Sequence, residues 1–309
     1  MNQKKHIEFN QGLDYLKKKI NETYEEKDAL TILDGMKEKR VVSLRINSLK
    51  TTPKDVKEIL DQAKITYETV VWYDHALIIH ESESVIERLP IYQEGKVYLQ
   101  SLSSMLPPLI LEPKPHTDIL DMAAAPGGKT TEIAALTDNK AFITACEASP
   151  IRAEKLKFNL NRQGTKNVSV LIKDASKLDD FFRFDQIMLD APCSGSGTID
   201  LNDEKSYTYF SQKLVQKSTE TQLSLLKKAI QLLKPGQEMV YSTCSILPEE
   251  NEEMIQKILN LNQVELVPID LPLLNSLPHF PSRLKETLLI LPNAHYEGFY
   301  IAKLRKKSK

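Results

Sequence analysis

The sequence predicts an α/β fold: a doubly wound, Rossmann-like, mostly parallel sheet over residues 95–309, preceded by a smaller α+β domain over residues 1–94. Three observations carry this prediction. From about Gly95, short apolar runs of strand length alternate with helical stretches across short connections, the pattern of a parallel sheet wrapped by helices. Before Pro90 the texture differs, being Lys/Glu-rich with only brief apolar patterns. The 309 residues, 41% hydrophobic and 27% charged, suffice for a substantial core.

In the first region Leu13, Leu16 and Ile20 fall at helical spacing, as do Val56, Ile59 and Leu60. Val41–Asn47, Val70–Trp72 and Ala76–Ile79 read as strands. In the second region a strand ends at Ile119–Asp121 and a helix runs from Gly128 to Leu136. Ala141–Cys146 is the next strand. The following helix, Pro150–Arg162, has a capping residue in Ser149, proline in its first turn and an exit at Gly164. Val168–Ile172 and Gln186–Leu189 are further strands. A long helix from about Leu214 to Leu233 stops at Pro235-Gly236. Met239–Thr243 is a fifth strand, and the acidic Pro248-Glu249-Glu250 opens another helix. Leu288–Leu291 and Phe299–Leu304 close the sheet as a hairpin.

Composition also excludes. No apolar run approaches the roughly 20 residues that span a bilayer, and the polar start Met1–Lys5 is unlike a secretory signal. Cys146, Cys193 and Cys244 are too few and too scattered for a disulfide framework. They form no Cys-x-x-Cys pair, and the six histidines show no partner spacing, so no metal is expected. A reducing cytoplasm and a monomer without membrane contact are the expectation. With 41 Lys and Arg against 42 Asp and Glu the net charge is −1, so any grip on phosphates must come from local clusters, with weak nonspecific binding and a shallow salt dependence.

In such sheets ligands bind at the carboxyl ends of the strands, near the switch point. There, Asp121-Met122-Ala123-Ala124-Ala125-Pro126-Gly127-Gly128-Lys129-Thr130 is a strand-to-helix turn of mostly small residues, which lets backbone amides approach a ligand. It is not a P-loop, because Ala123 stands where the first glycine would be, and the Gly-x-Gly-x-x-Gly fingerprint is absent. Glu147, about 20 residues past the turn, is where these folds hold a ribose hydroxyl. A ribose acid without a phosphate pocket fits an adenosine-type cofactor such as S-adenosylmethionine. Asp174 and Asp190 extend the row along the same edge; each alone reads as a cap or loop residue, but the three together read as one cleft.

Two cysteines leave strands beside that cleft, in Asp190-Ala191-Pro192-Cys193-Ser194-Gly195-Ser196-Gly197 and Tyr241-Ser242-Thr243-Cys244-Ser245. Cys146, inside a strand, reads as a small buried hydrophobe. A thiolate beside a methyl donor suggests one chemistry. Carbon 5 of cytosine becomes nucleophilic after a thiolate adds at carbon 6, and a carboxyl group on N3 stabilises the adduct. Asp190 is placed for that task. The second cysteine is available to assist release, and these residues do not decide which cysteine attacks.

These motifs resemble the Sun-type (NSUN-class, RsmB/Nop/Sun) RNA cytosine-C5 methyltransferases. The likeness runs from Arg45-Ile46-Asn47-Ser48-Leu49-Lys50 through Gln100–Met105, Asp121–Thr130, Asp190–Thr198 and Tyr241–Asn251 to Gly298–Leu304. It implies a class I methyltransferase sheet in which Ala123, Ala124, Ala125, Pro126, Gly127, Gly128 and Lys129 embrace S-adenosylmethionine. Glu147 would bind its ribose, Arg152 and Asp174 would complete the pocket, and Asp190 would contact both cofactor and base. The resemblance favours Cys244 as nucleophile and Cys193 as the residue promoting release. It implies an RNA substrate, tRNA or rRNA, that the N-terminal domain helps to place.

The chain departs from the family after Gly197, where an arginine-rich stretch gives way to Thr198–Lys205 with three acids and no arginine. Lys17-Lys18-Lys19 and the tail Lys303–Lys309 offer local phosphate contacts, although such lysines are usually just solvated. Two rivals remain: a methyltransferase acting on protein or a small molecule, and a catalytically idle RNA-binding assembly factor on the same fold.

Overall fold

The computed structural model describes residues 3–269, 277–280 and 282–308. Two helices, α1 (Gln3–Thr23) and α2 (Glu26–Gly35), lead into β1 (Val42–Ile46). Helix α3 (Pro53–Gln62) follows, started by a reciprocal capping box between Thr52 and Asp55 with Pro53 in its first turn. Then come β2 (Tyr67–Thr69), β3 (Ala76–Ile79), the short helices α4 (Glu83–Glu87) and α5 (Pro90–Gln93), and β4 (Val97–Leu99). The four strands form one antiparallel sheet in the order β2-β3-β1-β4. Its own core is built from Leu44, Ile46, Val56, Leu60, Leu77 and Val97.

Two findings in this region differ from the sequence pattern. The strand expected at Val70–Trp72 lies earlier, at Tyr67–Thr69, where His80 N bonds to Thr66 O and Tyr67 registers with Ile79. The alternation that suggested a strand is a turn that buries Val70 and Trp72 in a neighbouring core, with Trp72 Nε1 donating to Tyr296 Oη at 2.8 Å. Also, α1 and α2 do not pack on the small sheet. Leu16, Ile20, Ile32 and Met36 pack against Ile199, Tyr207, Phe210, Ile246 and Leu247 from the second half of the chain.

The second half begins with α6 (Leu102–Leu111), an apolar buried helix that contains Pro107 and Pro108 and that the sequence pattern concealed. Then β5 (Asp118–Asp121), α7 (Gly128–Leu136), β6 (Phe142–Cys146), α8 (Pro150–Gln163), β7 (Val168–Leu171) and β8 (Phe184–Asp190) alternate as expected. After α9 (Glu204–Tyr207), α10 (Gln212–Leu232) gives way at once to β9 (Leu233–Thr243), so Pro235-Gly236 lies in the strand rather than at a helix exit. The chain closes with α11 (Glu252–Leu259), β10 (Val264–Val267), β11 (His279–Phe280), β12 (Leu288–Ile290) and β13 (Phe299–Lys306).

The large sheet has the order β11-β12-β13-β9-β8-β5-β6-β7, with β10 also paired to β13. Strands β5 to β9 are parallel, and β13 runs antiparallel to β9 and to its hairpin partner β12. Ile187, Met188, Leu189, Val240 and Tyr241 are completely buried because helices cover both faces, each buried Leu or Ile contributing about 1.5–3 kcal/mol. The strand order reverses between β5 and β8, which opens the cleft described next. No described helix is long and apolar enough to cross a membrane.

Candidate active site

The turn after β5 is held from below and from the side. Asp121 is buried and accepts a hydrogen bond from Thr130 Oγ1 at 2.6 Å and one from Ala123 N, tying the strand end to the first turn of α7. Burial pushes its carboxyl up to about 6. From α8, Arg152 Nη2 donates to Ala125 O at 2.7 Å and Asn159 Nδ2 to Pro126 O at 2.8 Å. Gly127 has a φ of +109°, and a Cβ there would meet Leu156 Cδ1 at 3.0 Å; a Cβ on Gly128 would come within 3.3 Å of the Tyr98 ring. The small residues therefore let the turn lie flat against α8 and the small sheet. Ala123–Pro126, Gly128 and Lys129 line a cleft of about 180 Å³ with Asp121, Asp190 and Ser104, roofed by Tyr98–Ser101.

Glu147 follows β6, is buried, accepts from Ser149 N at 2.9 Å and lies 3.6 Å from Arg152. Asp174 stands one strand further along, half-exposed, capping a single turn of 3-10 helix at 175–177 through Ser176. Neither lines the 180 Å³ cleft; they follow β6 and β7, the next two strands along the sheet edge.

Across the cleft, Lys129 Nζ reaches Asp190 Oδ2 at 2.7 Å and donates to Ser104 Oγ at 2.6 Å, with the Phe299 ring 5.6 Å below. Burial opposes its charge, but Asp190, together with Asp121 and Cys244, outweighs burial and holds the ammonium above its ordinary range. Asp190 Oδ1 accepts from Ser242 Oγ at 2.7 Å, so the carboxylate is fixed from two sides. Beyond it, Cys193 Sγ and Cys244 Sγ lie 2.9 Å apart at the ends of adjacent strands β8 and β9. The Cys244 partner, burial and the nearby Glu250 carboxylate all push the Cys193 thiol well above its ordinary range. Cys146 is buried inside β6 with its thiol pushed up to about 12, the inert reading expected of it.

Residues 108–305 match the family model described as 16S rRNA methyltransferase RsmB/F, and residues 14–86 match the ferredoxin-like domain of RsmF/B-like methyltransferases. The chain belongs to the RsmB/F family. This is the Sun-type family its motifs resemble, and its fold is the α/β methyltransferase fold. The tRNA (cytosine(49)-C(5))-methyltransferase of Pyrococcus abyssi is 37% identical over 85% of this chain and 88% of its own length. A 28S rRNA (cytosine-C(5))-methyltransferase of Mus musculus is 34% identical over 96% of this chain but only 39% of its own. This chain thus spans most of the archaeal relative and well under half of the mouse one. A solved methyltransferase homologue from Pyrococcus horikoshii superposes with a TM-score of 0.81 at 33% identity, covering 94% of this chain and 93% of that one.

Several residues that build the site in this RsmB/F family member left little trace in the sequence. Glu250 is completely buried although it stands in an acidic segment that reads as a helix start; α11 begins only at Glu252 because Glu250 and Asn251 turn inward. Asn251 Oδ1 accepts from Thr243 Oγ1 at 2.5 Å. Gln100 accepts from Arg45 Nε at 3.0 Å and donates to Glu132 at 2.9 Å, joining two motifs some 55 residues apart to α7. The tail cluster expected to offer phosphate contacts is mostly engaged: Lys303 pairs with Glu112 and Glu238, Arg305 with Glu238, and Lys306 caps carbonyls of Gln231 and Leu233.

Proposed function

We propose that this protein transfers a methyl group from S-adenosylmethionine to carbon 5 of a cytosine in RNA, tRNA or rRNA, through a covalent cysteine adduct. Family membership supports the reaction class. The observation that supports the covalent route is the contact between Cys193 and Cys244 beside the Lys129–Asp190 pair. Methylating a nitrogen or oxygen needs no such pair, which argues against a protein or small-molecule substrate.

The residues fit the cofactor. The Ala123–Gly128 turn carries only small side chains toward a flat adenosine-type group, and a Cβ on Gly128 would crowd Tyr98 and Gln100 on the opposite side of the cleft. The buried Glu147 is available to a ribose hydroxyl, while Arg152 holds the turn's shape through Ala125 O rather than reaching the cleft by itself. Asp174 would border the base end. The bound cofactor supplies an electrophilic sulfonium methyl.

The chain's own groups supply the rest. The target base must be unpaired or flipped to enter the cleft. Cys244 adds to carbon 6, which leaves carbon 5 nucleophilic enough to take the methyl that the cofactor would supply, the methyl–sulfur bonding pair leaving with the cofactor's sulfur. The Lys129–Asp190 pair faces N3, and a proton passed from Lys129 through Asp190 neutralises the negative charge that the adduct places there. Carbon 5 then gives its proton to solvent water in the open cleft, the C5–H electrons reform the double bond, and the C6–S bond breaks with its electrons returning to Cys244. Cys193 promotes this release. The unit over residues 1–94 would help to place the RNA, and a monomer in the cytoplasm is the setting we propose.

The test is a denaturing gel after incubation with cofactor and unmodified RNA. Cys193→Ala is expected to trap an RNA–protein species, and Cys244→Ala to abolish methylation without trapping one. The opposite pattern would exchange the two roles; undiminished methyl transfer in both variants would end the covalent reading. Bisulfite sequencing of RNA from cells with and without the gene would identify the target cytosine.

A further inference from the structure

Glu250 is one of the buried acids to which the mechanism above gives no role. Glu250 has no solvent exposure, and its two oxygens join both cysteine loops. Oε1 accepts from Ser194 N at 2.8 Å and from Gln222 Nε2 at 3.2 Å. Oε2 accepts from Ser194 Oγ at 2.5 Å and from Ser245 Oγ at 2.6 Å. Ser194 directly follows Cys193, and Ser245 directly follows Cys244. The backbone of Glu250 takes part as well, since Tyr241 Oη donates to its carbonyl at 2.6 Å. Four donors converge on the carboxyl group and favour its ionised form, against burial, which holds the carboxyl above its ordinary range. The loops are further stitched by Gly197 N to Cys244 O at 3.0 Å and by Ser196 Oγ to Ser245 Oγ at 2.9 Å.

The surroundings of the two sulfurs are unequal. On the Cys193 side stand Glu250, from the turn before α11, and Tyr241, from β9. On the Cys244 side stands the ammonium of Lys129, from α7, paired with Asp190 from β8. We infer that Glu250 is a positioning residue that clamps the two cysteine loops together and, by its negative charge, keeps the shared proton on Cys193, which leaves Cys244 as the attacking sulfur. The inference rests on the function proposed above and supplies the choice of nucleophile that the residues alone left open. With the proton on Cys193, its S–H points at the Cys244 sulfur, steadies the thiolate before attack, and steadies it again when the C6–S bond breaks. The high placement of the Cys193 thiol agrees with this arrangement.

The decisive variant is Glu250→Gln, which keeps the size and lets both serine hydroxyls turn to accept from the new amide, while removing the charge. Glu250→Ala removes charge and clamp together. The first readout needs no RNA: alkylation by iodoacetamide across pH, with each cysteine followed by mass spectrometry. The wild type is expected to react at Cys244 in preference to Cys193. In Glu250→Gln that preference should fall by about five- to tenfold, and the pH at which Cys193 begins to react should drop by roughly one unit. The second readout is the trapped RNA–protein species, which in Glu250→Gln should include adducts through Cys193. A folded Glu250→Gln protein with an unchanged alkylation ratio and pH profile would overturn the inference, and so would equal activity losses in the Gln and Ala variants with no change in that ratio. If the wild type methylates no RNA cytosine, the proposed function falls, while the alkylation result still decides what Glu250 does to the pair.

Discussion

Helix α7 contributes to two cation–carboxylate pairs one turn apart, one sealed and one partly exposed. Glu132 faces the small sheet, where Arg45 stands 3.8 Å away; both side chains have 0% exposure. Gln100 bridges them and Thr131 Oγ1 takes a further Arg45 hydrogen bond at 2.8 Å. Lys129 faces the cleft and meets Asp190 at 2.7 Å, with 12% and 29% of the side chains exposed. The first pair is sealed and joins two sheets. The second lies on the wall of an open cleft, where an incoming polar group can exchange for either partner. The position of a charge pair relative to the cleft, more than its burial, separates scaffold from chemistry here.

That contrast can be broken by exchanging one residue at a time. Arg45→Met strands Glu132 in the seam, and losing one partner of a buried pair costs about 3–5 kcal/mol, lowering the Tm by roughly 10 °C at pH 8. Methyl transfer by the protein that remains folded should change less than about tenfold, since Arg45 touches none of the reacting groups. Thermal denaturation and single-turnover methyl transfer, measured on one preparation, check both halves. Lys129→Met should do the reverse. Loss of a preorganised charge beside Asp190 is expected to slow single-turnover transfer by about 10²–10³-fold, with a Tm within a few degrees of the wild type. Should Lys129→Met unfold the protein while Arg45→Met abolishes transfer, the two pairs have been assigned the wrong way round.

The contrast also marks what the sequence could reveal. The alternation of strands and helices, the small-residue turn and the three strand-end acids are local patterns, and each was legible because a few adjacent residues carry it. The Gly127-Gly128 turn and the Ser149–Gly164 punctuation of α8 are of this kind. What escaped depends on residues far apart in the chain. Arg45, Gln100 and Glu132 meet only because β1, β4 and α7 pack together, and nothing near any of them in sequence announces a polar seam. Glu250 escaped because an acid ahead of a helix ordinarily serves its dipole, whereas here the turn carries it inward to Ser194 and Ser245. Helix α6 was concealed by Pro107 and Pro108, whose cost is offset by the burial of Leu102, Met105, Leu106, Ile110 and Leu111. Val70 and Trp72 show the converse: an alternating pattern that serves a buried turn.

The smallest expected effect sharpens the comparison through pH. Burial pushes the Glu132 carboxyl up to about 7 despite Arg45 and Gln100, which pull it down. An acid whose folded-state pKa lies above its unfolded value binds a proton more tightly when folded. Its contribution to stability is therefore complete below about pH 4.5 and is lost as the pH rises toward 7. Glu132→Gln is neutral at every pH and lacks this term. Relative to that variant, the wild type should lose about 2 kcal/mol of unfolding free energy between pH 5 and pH 8. Urea titrations of both proteins across that range measure the difference directly. A constant gap between the two curves would mean that Glu132 stays ionised throughout, held by Arg45, and the sealed pair would then differ from the open one in access alone.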